Sequence, residues 1–589
     1  MAGSRSAARR VHALLAAAVL LTATPATTLA AEPSHPNPTN EMVTVLVPGG
    51  DVLALINSGQ MFDGETFEGI PDGIGLVPVS GGRADRTEQG GPRGPKYVDI
   101  YVNFEQSHVP FQNLADFEDS SVQRARLNLE TRQIVQLDEV LPASAGFIRF
   151  CSAFIAGPEH GFPHHTMLLN EESNDQLLIP PGATYESDPS LPANDTFAAR
   201  RQGGLTVYLD TRTGKFDALE GHGRHNHENT VVVPGGWAGQ IVDLSGDDTF
   251  TTTSDAARPN LSQLYLHSAA DSKSFLAGEG TLYGFQVTGT QAGPLLDPMT
   301  NSAHNDFFDI NVGQTWTGRF IPVPEDVANG DTLKLPQDAL EDWSNENNIF
   351  QFIRVEDIAY DPDSPRTVYF TDTGNTRLFQ DPSTGRLWRL GSNDARLAQS
   401  RNSNGRVFKL IFDEANPLVV DEFSIVADGG APSLSLPVAA GGGTLPAIPP
   451  PIGHPAWRAP DNLDVGHSSL MVQEDASNAK IWRAPMPAVP GTWAHVAIVD
   501  QDANPTTSDN GESSGIIDAS AWLGAGWWVL DVQGHPRPFP PTPPYGASDF
   551  QEFDPDVLFW NEPPGPPLNS PYQQRREFGQ LLLMYIPGS

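Results

Sequence analysis

One short pattern recurs along this chain, and it limits what the chain can fold into. Between Phe352 and Asn375, Arg354 and Glu356 stand two residues apart, on one face of an extended backbone. An apolar run, a Pro/Ser turn and the strand-like Thr367-Val368-Tyr369-Phe370-Thr371 follow, and the unit closes on Asp372 and Asn375. It reads as the two inner strands of one β-propeller blade, with both acidic ends facing the central channel. Five other segments share the plan. They run from Asp72 to Glu105, from Cys151 to Glu171-Glu172, from His227-Glu228-Asn229 to Asp247-Asp248, from Asp461-Asn462 to Glu474-Asp475, and from Glu512 to Gln533-Gly534-His535. The expected fold is therefore all-β: a six-bladed β-propeller with loop and short-helix insertions. Cys151 falls where the other units carry Asp or Glu.

Acidic residues at strand ends often do no more than cap turns. Six in the same place would instead form a ring of negative charge about one axis, which repels itself unless cations neutralise it.

The rest of the pattern is also β. Strands are expected at Met42-Val47, Val98-Asn103, Thr166-Asn170, Leu205-Asp210, Thr230-Val233, Gln263-Ser268, Leu282-Thr288, Thr367-Thr371, Arg386-Leu390, Val407-Phe412, Ser469-Gln473, Ile481-Ala484, Trp527-Val532 and Gln580-Ile586. One helix is expected over Asp338 to Asn345. Pro/Gly-rich stretches near 431-453 and 536-571 read as surface loops or linkers. Residues 42-589 form a single propeller domain in this reading, behind a leader at 1-30 and a flexible segment at 31-41.

That leader has the layout of an export signal: Arg5, Arg9 and Arg10, then an apolar Ala13 to Leu21, then Thr28-Leu29-Ala30. The expected location is secreted or periplasmic, by the Sec or the twin-arginine route. No other stretch reads as a membrane span. The formal charge of -37 over 589 residues argues against a nucleic-acid partner. It suits a solvated surface or a chain that gathers divalent cations.

Carboxylates with one thiol are not a structural zinc pattern. Oxygen ligands suit calcium, magnesium or manganese, and a thiolate adds affinity for iron. Ions held a few ångströms apart can clamp both oxygens of a phosphoryl transfer, and an arginine beside them can grip phosphate. Arg354 is the candidate, with a plain salt bridge as its other reading. Cys151, the only cysteine, excludes an internal disulfide; outside such a site it would be a small buried hydrophobe. Gly511-Glu512-Ser513-Ser514-Gly515 matches Gly-x-Ser-x-Gly but follows a Ser-Asp-Asn turn, unlike a nucleophile elbow. The pairs His164-His165 and His225/His227 suit loop donors or metal ligands, and Trp527-Trp528 suits a core.

These motifs, in this order, resemble the PhoX-type alkaline phosphatases, a family of secreted bacterial calcium/iron propellers. The resemblance rests on Cys151 ahead of Asn170-Glu171-Glu172, Arg224-x-x-His227-Glu228 ahead of Asp247-Asp248, Arg354-x-Glu356, Asp461-Asn462 with Glu474-Asp475, and Glu512-x-x-Gly515 with Gln533-x-His535. It implies that Cys151, Glu228, Glu356 and one of Asp461 or Asp475 ligate or bridge iron. It further implies that Glu171, Glu172 and Glu512 bind calcium or stand behind its ligands, and that Arg354 faces phosphate. Two departures stand out. The family's Thr-Pro-Trp-Gly-Thr run is replaced by Ala156 to His165, and its Arg-Pro-Glu is Arg354-Val355-Glu356. The expected function is a metal-dependent phosphatase of phosphate monoesters, acting as a monomer on a small phosphorylated substrate. The alternatives are a propeller hydrolase for another ester and a non-catalytic calcium-binding propeller.

Overall fold

The structure is a computed structural model. It describes residues 36–38, 41–62, 64–79, 96–105, 120–145, 147, 149–172, 203–249, 262–290, 293–294, 308–332, 336–476, 479–499, 511–534 and 578–589. The expected leader at 1-30, most of the 31-41 segment, the 536-571 stretch and His535 lie outside the described residues.

Six strands organise the rest: β1 (Pro71–Pro78), β2 (Phe150–Ala156), β3 (His227–Val232), β4 (Val355–Asp361), β5 (Pro460–Val465) and β6 (Gly511–Asp518). Each neighbours the next, and β6 returns to β1, so they form a closed ring. Four of them start separate antiparallel sheets. β1 leads to Tyr97–Phe104, Ser121–Asn128 and Gln133–Leu141, and β2 to Thr166–Glu171, Thr206–Asp210 and Phe216–Ala218. β5 leads to Ser469–Glu474, Lys480–Pro485 and Ala494–Val499, with Val43–Val45 added at the edge. β6 leads to Trp527–Gly534 and Phe578–Tyr585, with Asp51–Asn57 outermost. Segments from the start of the chain thus close the sheets formed by its end.

The fifth sheet is larger than a single blade. Its path of nine strands runs from β3 through Ile241–Asp247, Leu264–Ala269, Thr281–Thr290, Thr315–Pro322, Val419–Asp428, Arg406–Phe412 and Ser364–Asp372 to β4. Its two ends, β3 and β4, lie side by side, so the sheet is nearly closed on itself. Strand Thr315–Pro322 causes the merger by pairing with Thr281–Thr290 on one side and Val419–Asp428 on the other. It covers two edges that would otherwise expose backbone donors and acceptors. The fold is mostly β and propeller-like: four blades plus this sheet.

Every expected strand overlaps an observed one, and the expected helix is Pro336–Glu346. The stretch near 431-453 is not wholly irregular, since Leu434–Leu436 and Gly443–Leu445 pair as a small hairpin. Gly511 to Gly515 belongs to β6 rather than to a strand-to-helix turn. Trp527 and Trp528 are buried, as expected.

Phenylalanines fill the nine-strand sheet. Phe370, Phe408 and Phe423 stack with centroids 5.3 Å apart. Phe352 stands edge-on to both Phe370 and Phe408 at 5.4 Å and is fully buried. Truncating such a ring removes its transfer energy and leaves a cavity. Phe352→Ala should therefore cost about 3–5 kcal/mol, read as a lower midpoint in chemical denaturation; an unchanged midpoint would show that this packing contributes little.

Candidate metal centre

A local irregularity repeats at the start of the inner strands. The pairing register with the second strand shifts between Pro71 and Ile74, Phe150 and Ala153, His227 and Thr230, Val355 and Ile358, Pro460 and Leu463, and Ser513 and Ile516. A bulge at a strand end re-aims the side chains it contains. Asp72, Glu228, Glu356 and Asp461 each lie inside one. Gly73 and Gly515 occupy the next bulge position in their own strands. A Cβ on Gly73 would collide with the β2 backbone at Cys151 to Ala153, and one on Gly515 with the Asp72 carbonyl. The close approach of neighbouring inner strands thus requires glycine at both places.

The outcome is a string of overlapping clusters. Asp72, Glu105 and Cys151 form one; Cys151, Glu172 and Glu228 a second; Glu228, Glu356 and Asp461 a third, with ligand atoms within 4.8 Å in each. Cys151 Sγ donates to Glu172 Oε2 at 2.8 Å, and Asn103 Nδ2 donates to the Cys151 carbonyl. Ser152 Oγ donates to Glu228 Oε1 at 2.9 Å. Gln533 Nε2 bridges Asp72 Oδ2 at 3.1 Å and Glu105 Oε1 at 2.9 Å.

Arg354 borders this string. Its Nε and Nη2 donate to Asp248 Oδ1 at 2.8 Å and Oδ2 at 2.6 Å, and Nη2 lies 3.1 Å from Glu356 Oε1. Arg354 and Glu356 therefore share a face, as their spacing predicts, while the planar grip of the guanidinium is taken by Asp248.

The remaining expected residues sit differently. Glu171 precedes Glu172 on an extended segment, so its side chain leaves by the other face; it accepts from Leu205 N at 3.1 Å and belongs to none of the three clusters. In β6 the bulge falls on Ser514 and Gly515, which leaves Glu512 two residues short of the repeat position. Glu512 pairs with the half-buried Asp475 beside Glu105 and Asp461, outside the three clusters. Asp372, expected to face the channel, accepts from the backbone of Ile353 at 2.8 Å and Gly374 at 2.8 Å. The histidines at 225 and 227 stack on each other at 3.6 Å and are buried.

Sequence reasoning singled out no role for Glu105, Asp248, Arg377 or Arg389. Glu105 and Asp248 end repeat units, and that was the available signal. Arg377 and Arg389 flank paired strands Leu378–Gln380 and Leu387–Arg389, and nothing local distinguishes them. Arg389 Nε and Nη1 and Arg377 Nε are buried without a hydrogen-bond partner. Burial, then repulsion from Arg354 and Arg377, lowers the Arg389 guanidinium to about 10.

Electrostatics define what the string can do. Burial first, then mutual repulsion, raises Asp72, Glu228 and Asp461 well above the usual carboxylate range. Burial also raises Glu172 and Glu356, although Arg149 and Arg354 respectively oppose it. The Cys151 thiol is pushed up by burial, then by Glu172 and Glu228. Like charges 4 Å apart repel by about 4 kcal/mol at an effective dielectric of 20, so these groups must take up either protons or cations. The donor set fits cations: all-oxygen neighbours suit calcium, and oxygens around one sulfur suit iron. Cys151 and Glu228 each belong to two clusters, as bridging ligands would.

One residue further along the inner strands a cavity of about 330 Å³ opens in the channel. Gly73, Ser152, Asn229, Asp357 and Asn462 lie at its polar end, and Ile74, Phe154, Tyr360, Leu463 and Ile516 line its apolar wall. The acidic string is not among its lining residues.

No family model and no curated protein sequence matches the chain. Structural overlays include hydrazine synthase of Kuenenia stuttgartiensis, at 8% identity over 51% of this chain and 68% of that one, with a TM-score of 0.20. They include an acylaminoacyl peptidase of Pyrococcus horikoshii, at 8% over 75% and 56%, with a TM-score of 0.22. An intramolecular trans-sialidase of Ruminococcus gnavus overlays at 7% over 79% and 90%, with a TM-score of 0.23. At these scores the likeness carries no argument about fold or function.

Two outcomes are expected. Cations bound only by the native state stabilise it, so chelation should lower the unfolding midpoint and added calcium restore it. The pH response should also change. A carboxyl whose folded pKa is raised contributes stability that is present below its unfolded pKa and lost as pH rises through the folded value. Burial raises Asp357 to about 6 and Asp464 to about 7, against 3.8, and the string shifts the same way. Chelated protein should therefore become more stable as pH falls from about 7 toward 4, while cation-loaded protein should lose stability as protons displace its ions. Parallel profiles would contradict this.

Proposed function

We propose that the chain is an exported metal-dependent phosphatase that hydrolyses phosphate monoesters, with calcium and iron as its ions. The observation that carries this reading is the convergence of Cys151, Glu172, Glu228, Glu356 and Asp461 from three sheets onto one largely buried string, bordered by Arg354. Cys151, Glu228, Glu356 and Asp461 would hold iron, and Asp72, Glu105 and Glu172 calcium, with the Glu512–Asp475 pair behind them. Bound there, the ions supply positive charge for phosphoryl oxygens. The chain's own contribution is orientation. Arg354 would hold phosphate oxygens while Asp248 fixes its plane, and Arg389, with two buried nitrogens unpartnered, would take an oxygen from the other side.

We also count six blades, reading the nine-strand sheet as two blades joined through Thr315–Pro322. The closed ring of six inner strands supports that count.

One observation favours a second reading. The bidentate grip of Asp248 on Arg354 occupies the group that phosphate would need, as suits a non-catalytic calcium-binding propeller. A chromogenic phosphate ester separates the two. The phosphatase reading expects turnover that disappears in chelator and returns with calcium and iron, and a coloured protein from thiolate-to-iron charge transfer. Cys151→Ser should remove the colour and most of the turnover while keeping the fold, and Arg389→Ala should raise KM more than it lowers kcat. A folded, calcium-loaded, iron-free protein that turns over no ester would establish the second reading.

A further inference from the structure

A second cluster lies away from the axis, inside the sheet that starts at β3. Asp243 and His267 are direct cross-strand partners on Ile241–Asp247 and Leu264–Ala269, and His222 reaches them from the turn Glu220–His222. All three are 1% exposed. His267 Nδ1 is 3.1 Å from Asp243 Oδ1, and His222 Nδ1 is 3.3 Å from Asp243 Oδ2. The two rings are tilted by 31° with centroids 3.8 Å apart, and Phe275 stands edge-on to both.

Hydrogen bonding accounts for only part of this arrangement. An imidazole N–H···O bond runs to about 3.2 Å, so the His267 contact lies within that range and the His222 contact just beyond it. Ligands bound at about 2.0–2.1 Å in a tetrahedron stand about 3.3–3.4 Å apart, comparable to each separation, with Asp243 offering a different oxygen to each ring. Each imidazole has two ring nitrogens that need a partner; the Nε2 of His267 is buried with none, and that of His222 has no well-formed bond beyond its approach to the Phe275 backbone. Leaving such an atom unsatisfied is costly. If Nδ1 instead ligates an ion, the ring proton moves to Nε2, and for His222 the Phe275 carbonyl is then within reach. Room has also been kept around the second ring. Gly280 has φ +144°, and a Cβ there would collide with His267 Nε2.

We propose that His222, Asp243 and His267 bind one divalent transition-metal ion of the zinc type, with a water completing its four-coordinate shell, at a site independent of the axial string. Two imidazoles and a carboxylate select such an ion over calcium or magnesium, and their burial suits a role in holding the sheet rather than in catalysis. The ion fastens the turn before β3 to the second and third strands of its sheet. The inference does not depend on the phosphatase reading.

The test uses the full chain, stripped with chelator and titrated with zinc, followed by zinc X-ray absorption. We expect one equivalent of zinc with imidazole scattering, a raised unfolding midpoint, and the same result in Cys151→Ser, which disables the axial thiol. His222→Gln and His267→Gln should each lose that equivalent and the rise in midpoint, while keeping calcium uptake at the axis. Zinc uptake unchanged in both variants would overturn the proposal. If the variants do not fold, the wild type alone decides: oxygen-only or sulfur scattering, or no zinc retained, overturns the proposal too.

Discussion

Electrostatic repulsion at the axis is the constraint on which the rest of this structure depends. Six carboxylates and one thiol are drawn into a string in which only Glu105 and Asp461 are partly exposed. Arg354, a cation on its border, is already bound by Asp248. Propeller-like packing alone does not demand this. Inner strands filled with small polar residues would close the ring with no such cost. Acids kept in that position therefore imply neutralisation by something the chain does not itself supply, and the mixture of oxygens with a single sulfur indicates which cations fit.

The device that gathers these charges is a backbone one. Register shifts at the starts of the six inner strands point Asp72, Cys151, Glu228, Glu356 and Asp461 inward and leave Asn229, Asp357 and Asn462 to floor the cavity beyond. No single sheet holds a complete cluster, because each draws on strands from at least two sheets or from opposite ends of the nine-strand sheet. The site thus exists only when the ring is closed. Closure in turn relies on Asp51–Asn57 pairing with Phe578–Tyr585, and on Val43–Val45 pairing with Ala494–Val499. Any cation that binds the axis would in this way be linked to docking of the two ends of the domain.

Much of this could be read from the residues. Alternating β-branched and aromatic runs located the middle strands, because each is half-patterned by its two faces. The repeat of acid, apolar run and acid located Glu228, Glu356, Asp461 and Cys151. Inner strands such as Phe150–Ala156 and Pro460–Val465 were harder, since their starts are polar, bulged and lacking in period-two alternation. The bulge also explains the misplacements. A count along the chain cannot tell Glu171 from Glu172, or see that β6 is offset so that Glu512 misses the repeat position. The stitching strand Thr315–Pro322 resembles any other strand in sequence; only its two partners, far apart in the chain, reveal the merged sheet. Arg377, Arg389 and the His222–Asp243–His267 cluster come from positions with no shared motif, so tertiary contact alone brings them together.

The account's central claim is that cations, not protons, neutralise the axial string. Anomalous diffraction from crystals of the full chain, recorded on both sides of the iron edge and at a longer wavelength for calcium, tests it most directly. The account predicts an iron peak among Cys151, Glu228 and Glu356, with calcium peaks beside the neighbouring carboxylates. A map with no anomalous density along the axis, in crystals grown near neutral pH with both ions present, would contradict it.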